Sequence, residues 1–261
     1  MYIDVLSDTH IDFYFKEMSE DDVVSFWKEL KPSAKTLIIA GDIGHDNQQN
    51  IEFLKILNKN FYENILLVLG NHDYYNFQHE NSFERVQEFK KLCENEKGII
   101  LLDGDIVEVE DMKFGGANMW YDGMYNRRLG MSKQYIQSLW KNSISDSRYI
   151  SIDYFDDIFH NEISKLETIY KQSDVIITHV CPSIEHFPEQ FKNSSLNGFF
   201  SFNGLKYLKE TTAKVWIYGH THDRMNFIID NTHCFCNPLG YPHENKADKP
   251  KLISTIEIGK N

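Results

Sequence analysis

Cationic residues are scarce in this chain. Lysine and arginine together number 27 against 39 aspartates and glutamates, a formal net charge of −12. A protein that grips long nucleic acid needs Lys and Arg to neutralise phosphates, so the deficit counts against a polymer and favours a small substrate. No run of ~18 apolar residues could span a bilayer, and no membrane partner is expected. The four cysteines, Cys93, Cys181, Cys234 and Cys236, are too few and too scattered for a disulfide framework. Cys234 and Cys236 share one strand face and read as small buried hydrophobes, which fits a reducing cytoplasm. The opening stretch MYIDVLSDTH lacks the basic and apolar regions of a secretion signal and reads as an immediate strand. Without internal repeats, low-complexity tracts or a Pro/Gly/Ser-rich linker, residues 1–261 read as a single α/β domain.

What is present is an alternation of strand and helix. Continuous apolar runs at 2–6, 36–40 and 65–69 have the character of strands buried on both faces. Helices are expected at 19–30, 48–60 and 82–95, the first opening on a serine cap and an acidic turn. Short strands at 99–101, 106–109 and 112–115 suggest that the sheet continues with antiparallel members. Segment 117–151 reads as irregular, aromatic and polar. A helix at 153–172 and the strand DVIITH precede a loop at 181–203 and a short helix at 205–211. VWIYGHTH, MNFIID, HCFCN and LISTIEIG read as the closing strands.

In open α/β sheets, chemistry collects at the carboxyl ends of strands. Five strand ends here carry ligand-type residues: Asp8 and His10 after VLS, Asp42 after LIIAG, Asn71 with His72 and Asp73 after LLVLG, His179 after VIIT, and His220 with His222 after VWIYG. Side chains at i and i+2 of an extended segment point the same way, so each H-x-H or D-x-H pair converges on one point. Any one of these residues also reads as a turn or cap; all five ends carrying them do not. Carboxylate, carboxamide and imidazole without thiolate suit Mn²⁺, Fe, Zn²⁺, Co²⁺ or Ni²⁺ better than Ca²⁺. Seven such groups are too many for one tetrahedral zinc and suit two ions sharing a carboxylate, leaving a weakly positive site for a phosphate ester.

The ordered set DTH at 8–10, GD at 41–42, GNHD at 70–73, TH at 178–179 and GHTH at 219–222 resembles the calcineurin-like metallophosphoesterases. The resemblance implies a four-layer αββα sandwich, two mixed central sheets flanked by helices. It implies one metal at Asp8, His10, Asp42 and His222, and a second at Asp42, Asn71, His179 and His220, with manganese the first choice. His72 would contact the phosphate and protonate the leaving oxygen, with Asp73 orienting its imidazole. The expected reaction is hydrolysis of a phosphate mono- or diester by a metal-bridging hydroxide, with a nucleotide-like substrate. A nuclease on DNA or RNA, or a silent binding protein on the same fold, are the alternatives.

His45 stands where many members carry a further aspartate. NMWYDG, SISDSRYI, ITHVCPS and HCFCNPLGYPHE look like predicted bacterial and phage phosphoesterases with an NPRGY-like tail, with Leu239 in place of its arginine and Val180 in place of a second histidine. Substrate choice is expected to lie in 117–151 and in the loop 181–203, with contacts at Trp120, Tyr125, Arg127, Arg128 and Arg148, where aromatics can stack and arginines fork onto phosphate.

Overall fold

The computed structural model describes residues 1–77, 81–245 and 251–259. In chain order its strands are β1 (Tyr2–Leu6), β2 (Thr36–Ala40), β3 (Asn64–Val68), β4 (Ile99–Leu101), β5 (Asp105–Val109), β6 (Met112–Gly116), β7 (Val175–Ile177), β8 (Val215–Tyr218), β9 (Met225–Ile229), β10 (Thr232–Cys236) and β11 (Ser254–Glu257). The helices are α1 (Ile11–Tyr14), α2 (Glu20–Glu29), α3 (Asn47–Asn60), α4 (Ser82–Glu94), α5 (Met124–Arg128), α6 (Lys133–Ser143), α7 (Asp146–Tyr149), α8 (Asp156–Ile169) and α9 (Leu205–Glu210).

The strands form two mixed sheets, ordered β11-β1-β2-β3-β4 and β5-β6-β7-β8-β10-β9. Strands β1 to β4 run parallel, and β11 pairs antiparallel with β1. Alternation along the strands explains the layering. Val5, Ile38, Ala40, Leu66 and Val68 pack against Phe114, Val175, Ile177, Val215 and Ile217 of the second sheet. Their neighbours Leu37, Ile39, Ile65 and Leu67 face outward onto a second core with Trp27, Phe53 and Phe89 from α2, α3 and α4. Ile176 and Trp216 do the same beneath Leu166 and Leu208 of α8 and α9. Each central strand is therefore apolar on both faces, which is why the runs read as continuous. The result is the expected four-layer αββα sandwich.

Two sequence expectations are corrected. The short strands after α4 do not extend one sheet: β4 closes the first, parallel to β3, and β5–β6 form an antiparallel hairpin at the edge of the second. Segment 117–151 is largely helical rather than irregular. Ser132 caps α6 by accepting the Tyr135 N–H, and Ile136 and Trp140, four residues apart, bury its inner face. Helices α5 and α7, of five and four residues, are too short to imprint a period on the sequence. The four cysteines are buried and unpaired. Among the described residues, no helix is long and apolar enough to cross a membrane.

Candidate metal centre

Five strands deliver the ligand-type residues to one edge of the sandwich. Asp8, Asp42, His179 and His220 each lie two positions past the last residue of β1, β2, β7 and β8, and Asn71 lies three past β3. The chain turns abruptly there. Asp8, His10, Asp42, His220 and His222 all sit in the left-handed region, with φ of 50°, 41°, 58°, 70° and 54°. Such backbone costs an L-residue on the order of 1–2 kcal/mol and is concentrated at functional sites. Gly70 is obligatory for another reason: a Cβ there would run into Asp42 Oδ1 and His179.

The side chains converge in two groups. Asp8, His10, Asp42 and His222 bring one donor atom each to within 4.8 Å of one another, as do Asp42, His179 and His220. Asp42 belongs to both. Asn71 joins the second group, its Oδ1 3.0 Å from His179 Nε2.

Outer hydrogen bonds decide which atom of His179, His220, His222 and Asn71 faces the cluster. His179 Nδ1 donates to the Ala40 carbonyl at 2.8 Å, leaving Nε2 free. His220 Nε2 donates to the Phe199 carbonyl at 2.9 Å, leaving Nδ1. His222 Nδ1 contacts Glu244 Oε2 at 2.9 Å, leaving Nε2. Asn71 Nδ2 donates to Asp146 Oδ1 at 2.8 Å, so its oxygen turns inward. A metal-ligating residue needs this support to fix its tautomer and aim. The buried donor set therefore fits a pair of cations.

Protonation follows burial and the Asp42 charge. Burial lowers His10 to about 3 and His72 to about 4, against the opposing pull of Asp42. Burial also works against His179, but the Asp42 carboxylate beside it wins and lifts it to about 9.

His72 and Asp73 lie beside the cluster in different arrangements from the one expected. Asp73 does not orient His72. Its carboxylate accepts the N–H groups of Gly70 at 2.8 Å, Asp42 at 2.9 Å and Ile43 at 3.1 Å, clamping the β2 and β3 turns together. Burial and neighbouring Asp42 raise it to about 6. His72 Nδ1 instead meets His45 Nε2 at 2.9 Å, and His45 Nδ1 meets Asp12 Oδ2 at 2.7 Å. The residue that departs from the family pattern is thus the partner of His72.

Three further residues were not singled out from the sequence. Arg85, fully buried on α4, donates to the carbonyls of Gly44, His72 and Tyr75 at 2.7, 2.7 and 2.8 Å, holding both turns. Asp146, at the start of α7, also accepts from Tyr75 and Tyr121 hydroxyls at 2.7 Å each. Glu244 steadies His222. Each acts across a tertiary contact; Asp146 and Glu244 lie in the segments SISDSRYI and HCFCNPLGYPHE, which gave them no role, and no local pattern marks Arg85.

A cavity of about 410 Å³ opens over the cluster, and Asp42, Asn71, His72, His220 and His222 are among the residues that line it. The five expected substrate contacts lie apart from it. Trp120 is buried in the core. Tyr125 donates to the Lys192 carbonyl at 3.2 Å. Arg127 faces Asp156 at 3.8 Å, and Arg128 pairs with Glu185 at 2.9 Å. Arg148 is exposed and outside the lining. Helix formation turns these side chains onto other surfaces; 117–151 reaches the cavity through Ser143, Ile144, Ser145 and Asp146.

A sandwich of two mixed sheets with an Asp/His/Asn cluster at one strand edge defines a metal-dependent phosphoester-hydrolysing class. Residues 1–224 match the profile of the calcineurin-like phosphoesterase family, and the chain belongs to it. An uncharacterized protein, L509, of Acanthamoeba polyphaga mimivirus is 27% identical over 279 residues, covering 97% of this chain and 95% of that one. The crystal structure of phosphopantetheinyl hydrolase (PptH) from Mycobacterium tuberculosis superposes with a TM-score of 0.75 at 16% identity, covering 97% and 95% of the two chains. That likeness is one of fold.

Proposed function

We propose that the chain is a dinuclear phosphodiesterase acting on a small ester. The observation that carries this reading is the position of Asp42, whose carboxylate is common to both donor groups. Asp8, His10, Asp42 and His222 would hold one divalent ion, and Asp42, Asn71, His179 and His220 the other. Manganese is the first candidate; iron, zinc, nickel and cobalt share its taste for this donor set. When bound, the ions supply Lewis-acid stabilisation of the phosphoryl oxygens and acidify water.

The protein's own residues do the remaining work. Ala40, Phe199, Glu244 and Asp146 hold the ligand atoms inward before any ion arrives. His72 would donate a proton from Nε2 to the departing oxygen. A carboxylate can only accept, so Asp12 fixes the proton on His45 Nδ1. A neutral His45–His72 pair then leaves His72 Nε2 an acceptor, so donation from Nε2 requires one extra proton on the pair, carried by either ring. Asp12 supports that charge, itself held below the usual carboxylate range by His45 against the effect of burial.

Two divalent cations outweigh Asp8, Asp42 and the cavity-lining Asp146, and among the described residues no lysine or arginine lines the cavity. That modest positive excess is balanced by a singly charged diester more closely than by a polyanion. Elemental analysis and hydrolysis of bis(p-nitrophenyl) phosphate test the reading. Two ions per chain are expected, with turnover abolished by chelation and restored by Mn²⁺, and both ions lost from Asp42→Asn. One ion per chain, or full turnover in chelator, would defeat it.

A further inference from the structure

The cavity over the cluster is lined by two chemically distinct sets of residues. Beside the ligand-type residues it carries Ile144, Phe187, Phe191, Leu196 and Phe200, with Ser194 and Asn197 among them. Phe191 is 46% exposed at the mouth, and Phe187 and Phe200 are half-buried. Aromatic surface left open beside a cluster of buried charge is the pattern of a binding site, which is mostly apolar with a few polar groups that orient the ligand.

The aromatic wall is built into the site. It comes from segment 187–200, whose Phe199 carbonyl holds His220 Nε2 and whose Phe200 ring lies 4.9 Å from the His220 ring. Helix α5 props the segment from behind: Asn126 Nδ2 donates to the Ser195 carbonyl at 2.5 Å, and the Gly123 N–H to the Gly198 carbonyl at 3.2 Å. Asn197 Nδ2 closes the segment on itself through the Phe191 carbonyl at 2.8 Å. One structural unit therefore aims a metal-type ligand and presents an apolar surface.

Charge narrows the occupant. The cation on the segment, Lys192, is turned to Glu189, and among the described residues no lysine or arginine lines the cavity. A ligand bearing further phosphates or carboxylates would leave them unpaired in an apolar arm, a heavy desolvation cost.

We propose that this arm receives an uncharged, apolar or aromatic ester group, so that the enzyme selects phosphodiesters of neutral alcohols over substrates carrying additional negative charge. The proposal rests on the phosphodiesterase reading. Its test is steady-state hydrolysis, by the Mn²⁺-loaded full chain, of three p-nitrophenyl phosphodiesters whose second group is methyl, phenyl or 4-carboxyphenyl.

Burial of the phenyl ring should lower KM about tenfold relative to methyl, and the carboxylate should forfeit that gain. Phe187→Ala/Phe191→Ala should bring the phenyl-to-methyl KM ratio near one. Phe191→Lys should shift preference toward the carboxyphenyl ester. Equal KM for all three esters with clear turnover overturns the proposal while leaving the diesterase reading standing. No turnover of any ester by metal-loaded protein overturns the diesterase reading, and the arm's assignment falls with it.

Discussion

His72 owes its placement to a histidine, and that histidine to an aspartate of α1. The chain Asp12–His45–His72 spans bonds of 2.7 and 2.9 Å and is closed in by Tyr75, whose ring stacks on His45 at 5.6 Å and on His72 at 4.3 Å. His72→Ala should lower kcat by ~10²–10⁴-fold, the usual weight of a general acid, with both ions retained. His45→Ala, which leaves the imidazole present but unoriented, should cost about ten- to a hundredfold. Both penalties should shrink for good leaving groups such as nitrophenolate. The double variant should lose no more than His72→Ala alone, because the two residues act as one unit. Metal loss from either variant, or additive penalties, would remove this role. The ligand-type residues were legible because each follows an apolar strand at a fixed short interval. The residues that aim them were not. Asp12 reaches His45 across 33 positions and Asp146 reaches Asn71 across 75, and only the folded topology makes those neighbours.

Elements with a full period were read nearly in place; those too short for one were not. β1, β2 and α3 fall within a residue or so of expectation, because burial on two faces or one leaves a clear apolar signature. Helices α5 and α7 leave none; Tyr125, Arg127, Arg128 and Arg148 on them lie outside the cavity lining, and only Asp146 of α7 joins it. The junction of β4, β6, α4 and α8 is held instead by charge. Asp103, just past β4, accepts from Lys165 at 2.6 Å, from Lys90, and from Asn118 Nδ2 at 3.0 Å. Asn118 Oδ1 in turn accepts the Leu69 N–H at 2.8 Å, at the root of the Asn71 turn. Burial pushes the Asp103 carboxyl up, but Lys165 and Lys90 prevail and hold it below its ordinary value. A carboxyl depressed in the folded state contributes stability above its unfolded pKa of about 4 and loses it as pH falls through the folded value. Asp103→Asn should therefore cost about 2–3 kcal/mol near pH 7, as breaking a largely buried pair does. The difference from the unaltered protein should narrow below about pH 4. Denaturant unfolding of both proteins at pH 7 and pH 3 measures it; an equal gap at the two values would assign the loss to packing.

At the scale of the molecule, the cluster joins the two sheets through polar side chains at their strand ends. Asp8, Asp42 and Asn71 come from the ends of β1, β2 and β3 in one sheet; His179, His220 and His222 come from β7 and β8 in the other. Five of the cluster's residues hold left-handed backbone, and the buried carboxylates Asp8, Asp42 and Asp73 are gathered there with buried Arg85 offsetting only part of their charge. Those terms oppose folding, and a cation shared through Asp42 would offset them by binding the folded state alone. At free metal a hundredfold above Kd, linkage gives ~2.7 kcal/mol per site, which for a chain of this size is about 5–10 °C in Tm. Chelation should lower Tm by at least that amount, and Mn²⁺ should restore it. Asp42→Asn should show little response to either, since it weakens both positions together. His72→Ala should respond like the unaltered protein, because it removes no ligand. A Tm indifferent to chelator and metal in the unaltered chain would mean that the sheets carry the strained edge by packing alone, and that the cluster binds cations too weakly to clamp them.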